Sequence, residues 1–301
     1  MEQSALKNQY QQAIDRFVEK LKEDINVIAL VVGGSVAYDV IWERSDVDVT
    51  IVVRDQVLKS RSLSLVEEGI TFNTYLMPRS EFKRGLEGMV GGSFLQSYFA
   101  NGKIVYSTDE SLYEYFEEFK RIGEDDRAMT GLHLAAELVS TMHKVQKWML
   151  VRKDLVYAQY FMLKAAEVIA SMELCIRGIP RSRNAIQKAL EYNPQMMQVF
   201  YHTPMQRPLT ETDLAEGAEL LDAYLTEKME IFKQPVLEYL ADGEVKTTSM
   251  VAQRFHTDSH YIVDVLDYLA EKGVIDRVTQ LIKLTPKSRF GVEELGFVYI
   301  A

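Results

Sequence analysis

Two hydrophobic patterns alternate over the first 124 residues. The opening segment, MEQSALKNQYQQAIDRFVEKLKEDI, places charged residues on one face and apolar residues on the other, which predicts an amphipathic helix. Short apolar runs follow and predict strands at VIALVV, VDVTIVV, GITFNTYLM and KIVYS, with a helix at SEFKRGLEG. Helices and strands that alternate in this way are typical of an α/β domain.

The pattern changes at about residue 125. Apolar residues three and four apart then continue for about a hundred residues and predict a helical bundle, with breaks near Gly178, Pro194, Pro204 and Pro208. The last part predicts a helix, a short helix, a longer helix and two short strands, an order typical of a winged helix-turn-helix. We therefore predict three domains, over residues 1–124, 125–233 and 234–301.

Two aspartates interrupt a segment that otherwise has the pattern of a buried strand. Side chains alternate along a strand, so Asp46 and Asp48 share one face while the valines beside them fill the other. Two adjacent carboxylates repel unless a cation bridges them, and Mg²⁺ (or Mn²⁺) prefers such ligands together with nucleotide phosphates. Upstream, VIALVV is followed by Gly33, Gly34 and Ser35, and glycines after a strand let backbone N–H groups approach phosphate.

This stretch resembles the nucleotidyltransferase superfamily, which includes DNA polymerase beta and the aminoglycoside nucleotidyltransferases. Its signature is Gly-Ser, an alanine two residues later, a variable loop, and Ser-Asp-x-Asp on the next strand. The matching residues here are Gly34, Ser35, Ala37, Ser45, Asp46 and Asp48. Over its full length the chain is most similar to the YgxA-like nucleotidyltransferase-like proteins of Bacillus-type bacteria.

The resemblance implies an NTP substrate, bound with Mg²⁺ or Mn²⁺, and transfer of a nucleoside monophosphate to the hydroxyl of a small-molecule or macromolecular acceptor. Asp46 and Asp48 would bind the metal and serve as catalytic residues. Ser35 would donate a hydrogen bond to a terminal phosphate, beside the Gly33 and Gly34 backbone. Ser45 is either a nucleotide contact or simply the residue that starts the strand.

The superfamily normally has a third carboxylate, on a later strand, which binds metal and takes the proton from the acceptor hydroxyl. The matching strand, GITFNTYLM, has no acid, and Asn73 is its nearest polar candidate. An amide ligates metal weakly and is not a general base near neutral pH. We expect Glu67 and Glu68, just before this strand, to be surface charges. Other candidate bases lie in the helical segment, at His133, Glu137, His143, Asp154 and Glu167.

The segment WMLVRKDLVYAQYFMLKAAEVIASMELCIRG resembles the helical substrate domain of kanamycin-type nucleotidyltransferases, which implies an acceptor-binding surface here. Lys164 interrupts its apolar face. That lysine either reaches a nucleotide phosphate or extends its stem to place the charge in solvent.

Composition narrows the function further. The 301 residues carry a net charge of −10, which argues against electrostatic coating of bulk nucleic acid. Between residues 243 and 290, seven basic residues nearly balance six acidic ones, so the winged helix is favoured as a packing or homodimerisation element over a DNA reader.

The single cysteine, Cys175, excludes an internal disulfide. No membrane-spanning run or secretory signal is recognisable, so we expect a cytoplasmic protein without membrane association.

Two other functions remain open. The missing third carboxylate favours a catalytically weak nucleotide sensor. The winged-helix pattern allows a DNA-binding regulator that uses the nucleotide domain as its effector site.

Overall fold

The computed structural model describes residues 3–37, 41–87, 98–99, 101–119, 124–182 and 184–300. The chain divides into two compact units. Unit 1 comprises Met1–Ile122 with Pro180–Ser182, and unit 2 comprises Gly123–Ile179 with Arg183–Ala301. None of the described helices is both long enough and apolar enough to cross a membrane.

Unit 1 contains a mixed five-stranded sheet with helices. Its described elements are α1 (Gln3–Leu21), β1 (Val27–Gly33), α2 (Gly34–Ala37), β2 (Val47–Val53), β3 (Ser62–Glu67), β4 (Ile70–Pro78), α3 (Arg79–Glu87), β5 (Lys103–Ser107) and α4 (Ser111–Phe119). The strand order is β3-β4-β2-β1-β5, in which β2 and β4 are parallel and the other neighbours are antiparallel. The predicted α/β domain is confirmed, and β3 is a strand that the hydrophobic pattern did not predict.

The central strands β1 and β2 are covered on both faces, which explains their long apolar runs. On one face α1 packs its apolar stripe against β2 and β4, and the rings of Phe17 and Phe72 stack with centroids 4.3 Å apart. On the other face Val52 packs with Phe82, Phe99 and residues of α4. Burial on both faces hides side-chain alternation in β1 and most of β2, whereas β4 alternates buried and exposed residues over most of its length.

Glu67 is not the surface charge that the sequence suggested. Its side chain is buried at the end of β3 and forms an ion pair with Lys20 of α1, at 2.6 Å. Glu68, which starts the turn into β4, is exposed and forms an ion pair with Arg16. The expectation is therefore wrong for Glu67, because α1 packs along this edge of the sheet and supplies it with a cation.

Unit 2 begins with long helices, as the periodicity predicted. They are α5 (Glu124–Gln146), a π-helical turn (Lys147–Val151), α6 (Leu155–Ile176), α7 (Ala185–Tyr192), α8 (Pro194–Met197), a second π-helical turn (Gln198–His202), α9 (Thr203–Gln206) and α10 (Glu211–Leu240). Asp154 caps α6, since its carboxylate accepts a hydrogen bond from the Tyr157 N–H at 2.9 Å. Thr210 and Asp213 form a capping box at the start of α10.

Helix α10 runs through residue 234, where the sequence placed the start of the third domain. Pro235 removes one backbone hydrogen bond inside this helix. The helix nevertheless continues, because Phe232, Val236 and Leu240 are buried in one hydrophobic core on both sides of the proline. The division into a second and a third domain stays a prediction.

The C-terminal part contains the predicted short helix, longer helix and two strands, preceded by a two-residue strand that the sequence did not predict. It comprises β6 (Lys246–Thr247), α11 (Thr248–Arg254), α12 (Ser259–Glu271), β7 (Asp276–Ile282) and β8 (Val292–Val298), with the strands ordered β6-β8-β7. Residues of α12 and β8 share the hydrophobic core of the preceding helices. The small sheet is established, whereas its assignment as the wing of a winged helix stays a prediction.

Acidic side chains of α12 make contacts within unit 2. Asp258 caps the helix by accepting a hydrogen bond from the His260 N–H at 2.8 Å. Asp264 lies 3.4 Å from His143 of α5, and Asp267 lies 3.4 Å from Arg277 of β7. Whether this helix serves only in packing or also reads DNA stays a prediction.

Candidate functional site

The register of the sheet aligns three predicted site residues in one row. Gly33 at the end of β1 lies opposite Asp48 of β2, and Asp48 lies opposite Asn73 of the parallel strand β4. Paired residues in neighbouring strands project to the same face of a sheet. The phosphate turn, the carboxylate pair and the candidate amide are thus neighbours at one end of three adjacent strands.

Gly34 and Asp48 are in direct contact. The Gly34 backbone is left-handed, with φ of +64°, and a Cβ atom added there would overlap the Asp48 carboxylate. Only glycine adopts this conformation without strain and also leaves room for that carboxylate. The glycine that the sequence pattern marked for phosphate therefore also fixes the position of Asp48.

Gly33 fits against an aromatic ring in the same way. A Cβ atom on Gly33 would overlap the ring of Tyr98. Burial raises the pKa of Tyr98 to about 12, an effect that the Asp48 charge reinforces and a hydrogen bond with Thr50 opposes. Tyr98 is therefore protonated at neutral pH and serves as a wall of the turn, not as a base.

Asn73 projects to the face of the sheet that carries the aspartates. Its side-chain Nδ2 donates a hydrogen bond to Asp46 Oδ2, and Ser64 of β3 lies 3.4 Å from its Oδ1. The sequence could not decide which face Asn73 occupies, and the parallel pairing of β2 with β4 decides it. An amide thus occupies the place beside Asp46 where the superfamily pattern led us to look for a carboxylate.

The loop before β2 is held by Tyr10 of α1. Its hydroxyl donates hydrogen bonds to the carbonyl oxygens of Ser45, at 2.6 Å, and Trp42, at 3.3 Å. Burial, and secondly the charge of Asp46, raise the pKa of Tyr10 above its ordinary value. Tyr10 is a positioning residue that the sequence reasoning missed, since its spacing in the opening helix suggested only packing.

Ser45 closes the turn that leads into β2. Its Oγ accepts a hydrogen bond from the Trp42 N–H at 3.1 Å, while its own N–H donates to the Trp42 carbonyl at 2.9 Å. This geometry supports the interpretation of Ser45 as the residue that starts the strand. A contact from Ser45 to nucleotide stays a prediction.

A cleft of about 480 Å³ opens beside Asp46 and Asn73 in unit 1, whereas Gly33, Gly34, Ser35 and Asp48 are not among its lining residues. Polar groups from three segments line it, namely Tyr10 and Gln9 from α1, Glu43, Arg44, Ser45 and Asp46 from the loop, and Thr71 and Asn73 from β4. Glu43 is a carboxylate that the sequence analysis did not single out, because nothing in its local pattern separates it from an ordinary loop charge.

The donor set suits a hard divalent cation. Asp46 and Asp48 supply carboxylate oxygens, and Mg²⁺ usually takes one or two carboxylates and completes its shell with water and substrate phosphate. Within the described ranges, no three His, Cys, Asp or Glu residues cluster closely enough to hold a metal by themselves. The two aspartates fit a cation that is held jointly with a phosphate, not one enclosed by protein.

Several candidate bases of the helical segment have structural contacts. His133 Nε2 lies 3.1 Å from the Phe255 carbonyl oxygen, His143 faces Asp264, and Asp154 caps α6. Lys164 is exposed, and its ammonium group lies 5.0 Å from the centroid of the Tyr160 ring. A hydrogen bond that Lys164 donates to the Tyr160 hydroxyl raises the pKa of Lys164. Whether Lys164 contacts nucleotide phosphate stays a prediction.

The comparisons with known proteins agree with this geometry. A family model described as "Nucleotidyltransferase domain" matches residues 14–161. The N-terminal α/β part of the chain is therefore nucleotidyltransferase-like, and the match continues into the first helices of unit 2. The match supports a role in nucleotidyl transfer in general terms and covers the strands that carry Gly33, Asp48 and Asn73.

A crystal structure of a nucleotidyltransferase-like protein from Exiguobacterium sibiricum 255-15 has a similar fold. The TM-score is 0.63 at 14% sequence identity, and the alignment covers 97% of this chain and 100% of that chain. At this identity the likeness establishes the fold alone. No curated protein matches the chain. The narrower resemblance to YgxA-like proteins stays a prediction.

Substituting Gly34 with alanine is expected to lower the free energy of unfolding by about 2–5 kcal/mol. The left-handed backbone contributes about 1–2 kcal/mol, and displacement of the Asp48 carboxylate adds about 1–3 kcal/mol, as for an overpacked site. Urea unfolding of the nucleotidyltransferase-like domain in the full chain measures the loss.

The matched control is Gly69→Ala in the turn between β3 and β4. Gly69 has φ of +75°, but a Cβ atom there meets nothing within 4 Å. Gly69→Ala should therefore lower the free energy of unfolding only by the cost of the left-handed backbone, about 1–2 kcal/mol. Equal losses for the two variants would mean that Asp48 moves aside freely and that Gly34 does not fix it.

Proposed function

We propose that the protein binds an NTP with Mg²⁺ in the cleft beside Asp46 and transfers its nucleoside monophosphate to an acceptor hydroxyl. The observation that carries the proposal is the row formed by Gly33, Asp48 and Asn73, with Asp46 beside it. The row joins a glycine turn to two carboxylates of the kind that a divalent cation prefers.

The residues in and around the row have distinct roles in this proposal. The Gly33 and Gly34 backbone and the Ser35 hydroxyl bind the terminal phosphates. Asp46 and Asp48 hold the divalent cation, which when bound neutralises phosphate charge and aligns the reacting oxygens. Tyr10 fixes the loop that delivers Asp46, so the carboxylate does not have to be ordered at the moment of binding.

A catalytically weak nucleotide sensor is the second candidate. The observation in its favour is that Asn73, which cannot accept a proton near neutral pH, stands beside Asp46 where a third carboxylate was sought. Both candidates require nucleotide binding in the same cleft. Only turnover separates them.

The proposal is tested on the full chain with labelled ATP, CTP, GTP and UTP, each with and without Mg²⁺ or Mn²⁺. The chain has two tryptophans, and Trp42 lies in the turn that leads to Asp46. In a Trp148→Phe variant, Trp42 is therefore the only indole and reports directly on the loop. We expect a saturable, metal-dependent change in its emission with at least one NTP.

Turnover is followed by release of pyrophosphate and by label transfer to a panel of hydroxyl acceptors. Metal-dependent binding with transfer supports the transferase, and binding without pyrophosphate release supports the sensor. If the Trp42 emission does not respond to any NTP with either metal, both candidates are overturned.

A further inference from the structure

Unit 2 exposes a group of aromatic rings where α5 gives way to α6. Trp148 lies on the π-helical turn, and its ring centroid is 4.4 Å from that of Tyr157. Tyr157 and Tyr160 lie on the first turns of α6 with near-parallel rings, 5.5 Å apart at an interplanar angle of 23°. We call Trp148, Tyr157 and Tyr160 the aromatic patch.

The tyrosines of the aromatic patch remain open to solvent. Tyr157 and Tyr160 are 41% and 44% exposed, whereas Phe161, the next residue on the helix, is buried. Helix α6 therefore buries the face that carries Ala158, Phe161 and Met162 and turns the two tyrosines outward. The exposed part of each tyrosine ring is accessible to a planar ligand, while the rings also contact one another and Lys164.

Cations accompany the rings. The Arg152 guanidinium lies 5.9 Å from the Trp148 ring centroid, and the Lys164 ammonium lies 5.0 Å from that of Tyr160. Residues 144–167 contain five basic and two acidic side chains, a net charge of +3 in a chain of net charge −10. The acids are Asp154 and Glu167, and the bases are Lys144, Lys147, Arg152, Lys153 and Lys164.

The acids near the aromatic patch compensate part of its positive charge, and after the hydrogen bond to Tyr160 the charge of Glu167 is among the causes that raise the pKa of Lys164. Asp154 is the cap of α6, where its carboxylate accepts a backbone hydrogen bond. Lys153 lies 3.6 Å from Glu211 at the start of α10, an exposed pair. Arg152 and Lys164, by contrast, lie over aromatic rings, where a phosphate can approach them from solvent.

We propose that the aromatic patch binds single-stranded nucleic acid. Successive bases would stack on Tyr157, Tyr160 and Trp148, and the phosphates between them would pair with Arg152 and Lys164. Stacked aromatic rings flanked by cations are the recurrent means of holding a flexible strand. Duplex bases are already stacked and paired, so a duplex offers the rings no free faces. The proposal does not rest on the transfer reaction proposed above.

The test uses the full chain with Trp42→Phe, which leaves Trp148 as the only indole. Titration with twelve-nucleotide strands of dT or rU should quench the Trp148 emission saturably, because a base stacks on the ring. Two to three phosphate contacts should weaken binding roughly sevenfold to twentyfold between about 50 and 200 mM salt. A duplex of the same length should quench much less.

Patch variants make the test specific. Tyr160→Ala should weaken strand binding roughly fivefold to a hundredfold, whereas Tyr160→Phe, which keeps the ring, should bind nearly normally. The double variant Arg152→Gln/Lys164→Gln should make the plot of log binding constant against log salt concentration less steep by about 1.4. Tyr261→Ala is the matched control, since Tyr261 is an equally exposed tyrosine on α12.

Four results would overturn the proposal. The first two are no quenching by any strand and equal quenching by polyglutamate. The third is loss of binding in a Lys283→Gln/Lys287→Gln/Arg289→Gln variant while the patch variants bind normally. The fourth is a dimer in sedimentation that Tyr160→Ala converts to monomer. The last would assign the patch to a second copy of the chain. Nucleotide binding is read separately from Trp42 in the Trp148→Phe variant, so failure of one proposal is distinguishable from failure of the other.

Discussion

Replacing Asp48 with asparagine is expected to weaken metal-dependent NTP binding at least about 100-fold, because removing groups that merely orient a metal ligand already costs 10- to 100-fold. Asp48 lies in the row between Gly33 and Asn73 and against Gly34, so the change removes a carboxylate from the centre of the site. Asp46→Asn should act in the same direction, since an amide oxygen can still accept the hydrogen bond from Asn73 but carries no charge. Calorimetry with each NTP, with and without Mg²⁺, measures both effects.

The same variants, although weaker in metal-dependent NTP binding, should not be less stable than the wild type in thermal unfolding without metal. Asp46 and Asp48 repel each other when no cation is present, so losing one charge should leave the melting temperature unchanged or raise it. This opposite sign separates a metal site from a purely structural carboxylate. Equal, metal-independent NTP affinity in the wild type and the Asp46→Asn/Asp48→Asn double variant would refute the assignment of the site.

Introducing a carboxylate at position 73 is expected to produce the second large effect. Asn73 donates a hydrogen bond to Asp46 and lies opposite Asp48, on the exposed face of β4. Asn73→Asp should therefore tighten metal binding and lower the melting temperature without metal, because a third negative charge joins the pair. If the protein lacks only a base, turnover should rise roughly 10²- to 10⁴-fold.

Thr71→Asp is the matched control for Asn73→Asp. Thr71 lies two residues earlier on the same face of β4 and lines the same cleft, and it has no described contact with Asp46. Thr71→Asp should change metal affinity and NTP turnover less than Asn73→Asp does. Fast wild-type turnover that neither Asn73→Asp nor Asn73→Ala alters would show that the base lies outside β4, and Glu43 would be the first residue to replace.

The sequence determined the elements of the nucleotidyltransferase-like domain and the identity of its charged pair. Long apolar runs predicted β1 and β2 because strands buried on both faces need apolar side chains throughout. Shorter apolar stretches predicted β4 and β5, which are partly exposed. The signature around Gly34 and Asp48 was visible because its residues are close in the chain. The polar strand β3, exposed along most of its length, gave no such signal.

The tertiary structure alone decided which distant residues meet. Strand order and register are set by pairing between segments far apart in sequence, and they place Asn73 beside Asp46 and Lys20 beside Glu67. Tyr10 gained its role only when α1 packed against the loop before β2. The continuity of α10 through Pro235 and the outward orientation of Tyr157 and Tyr160 likewise depend on which faces the hydrophobic core buries, since a single sequence period fits more than one packing arrangement.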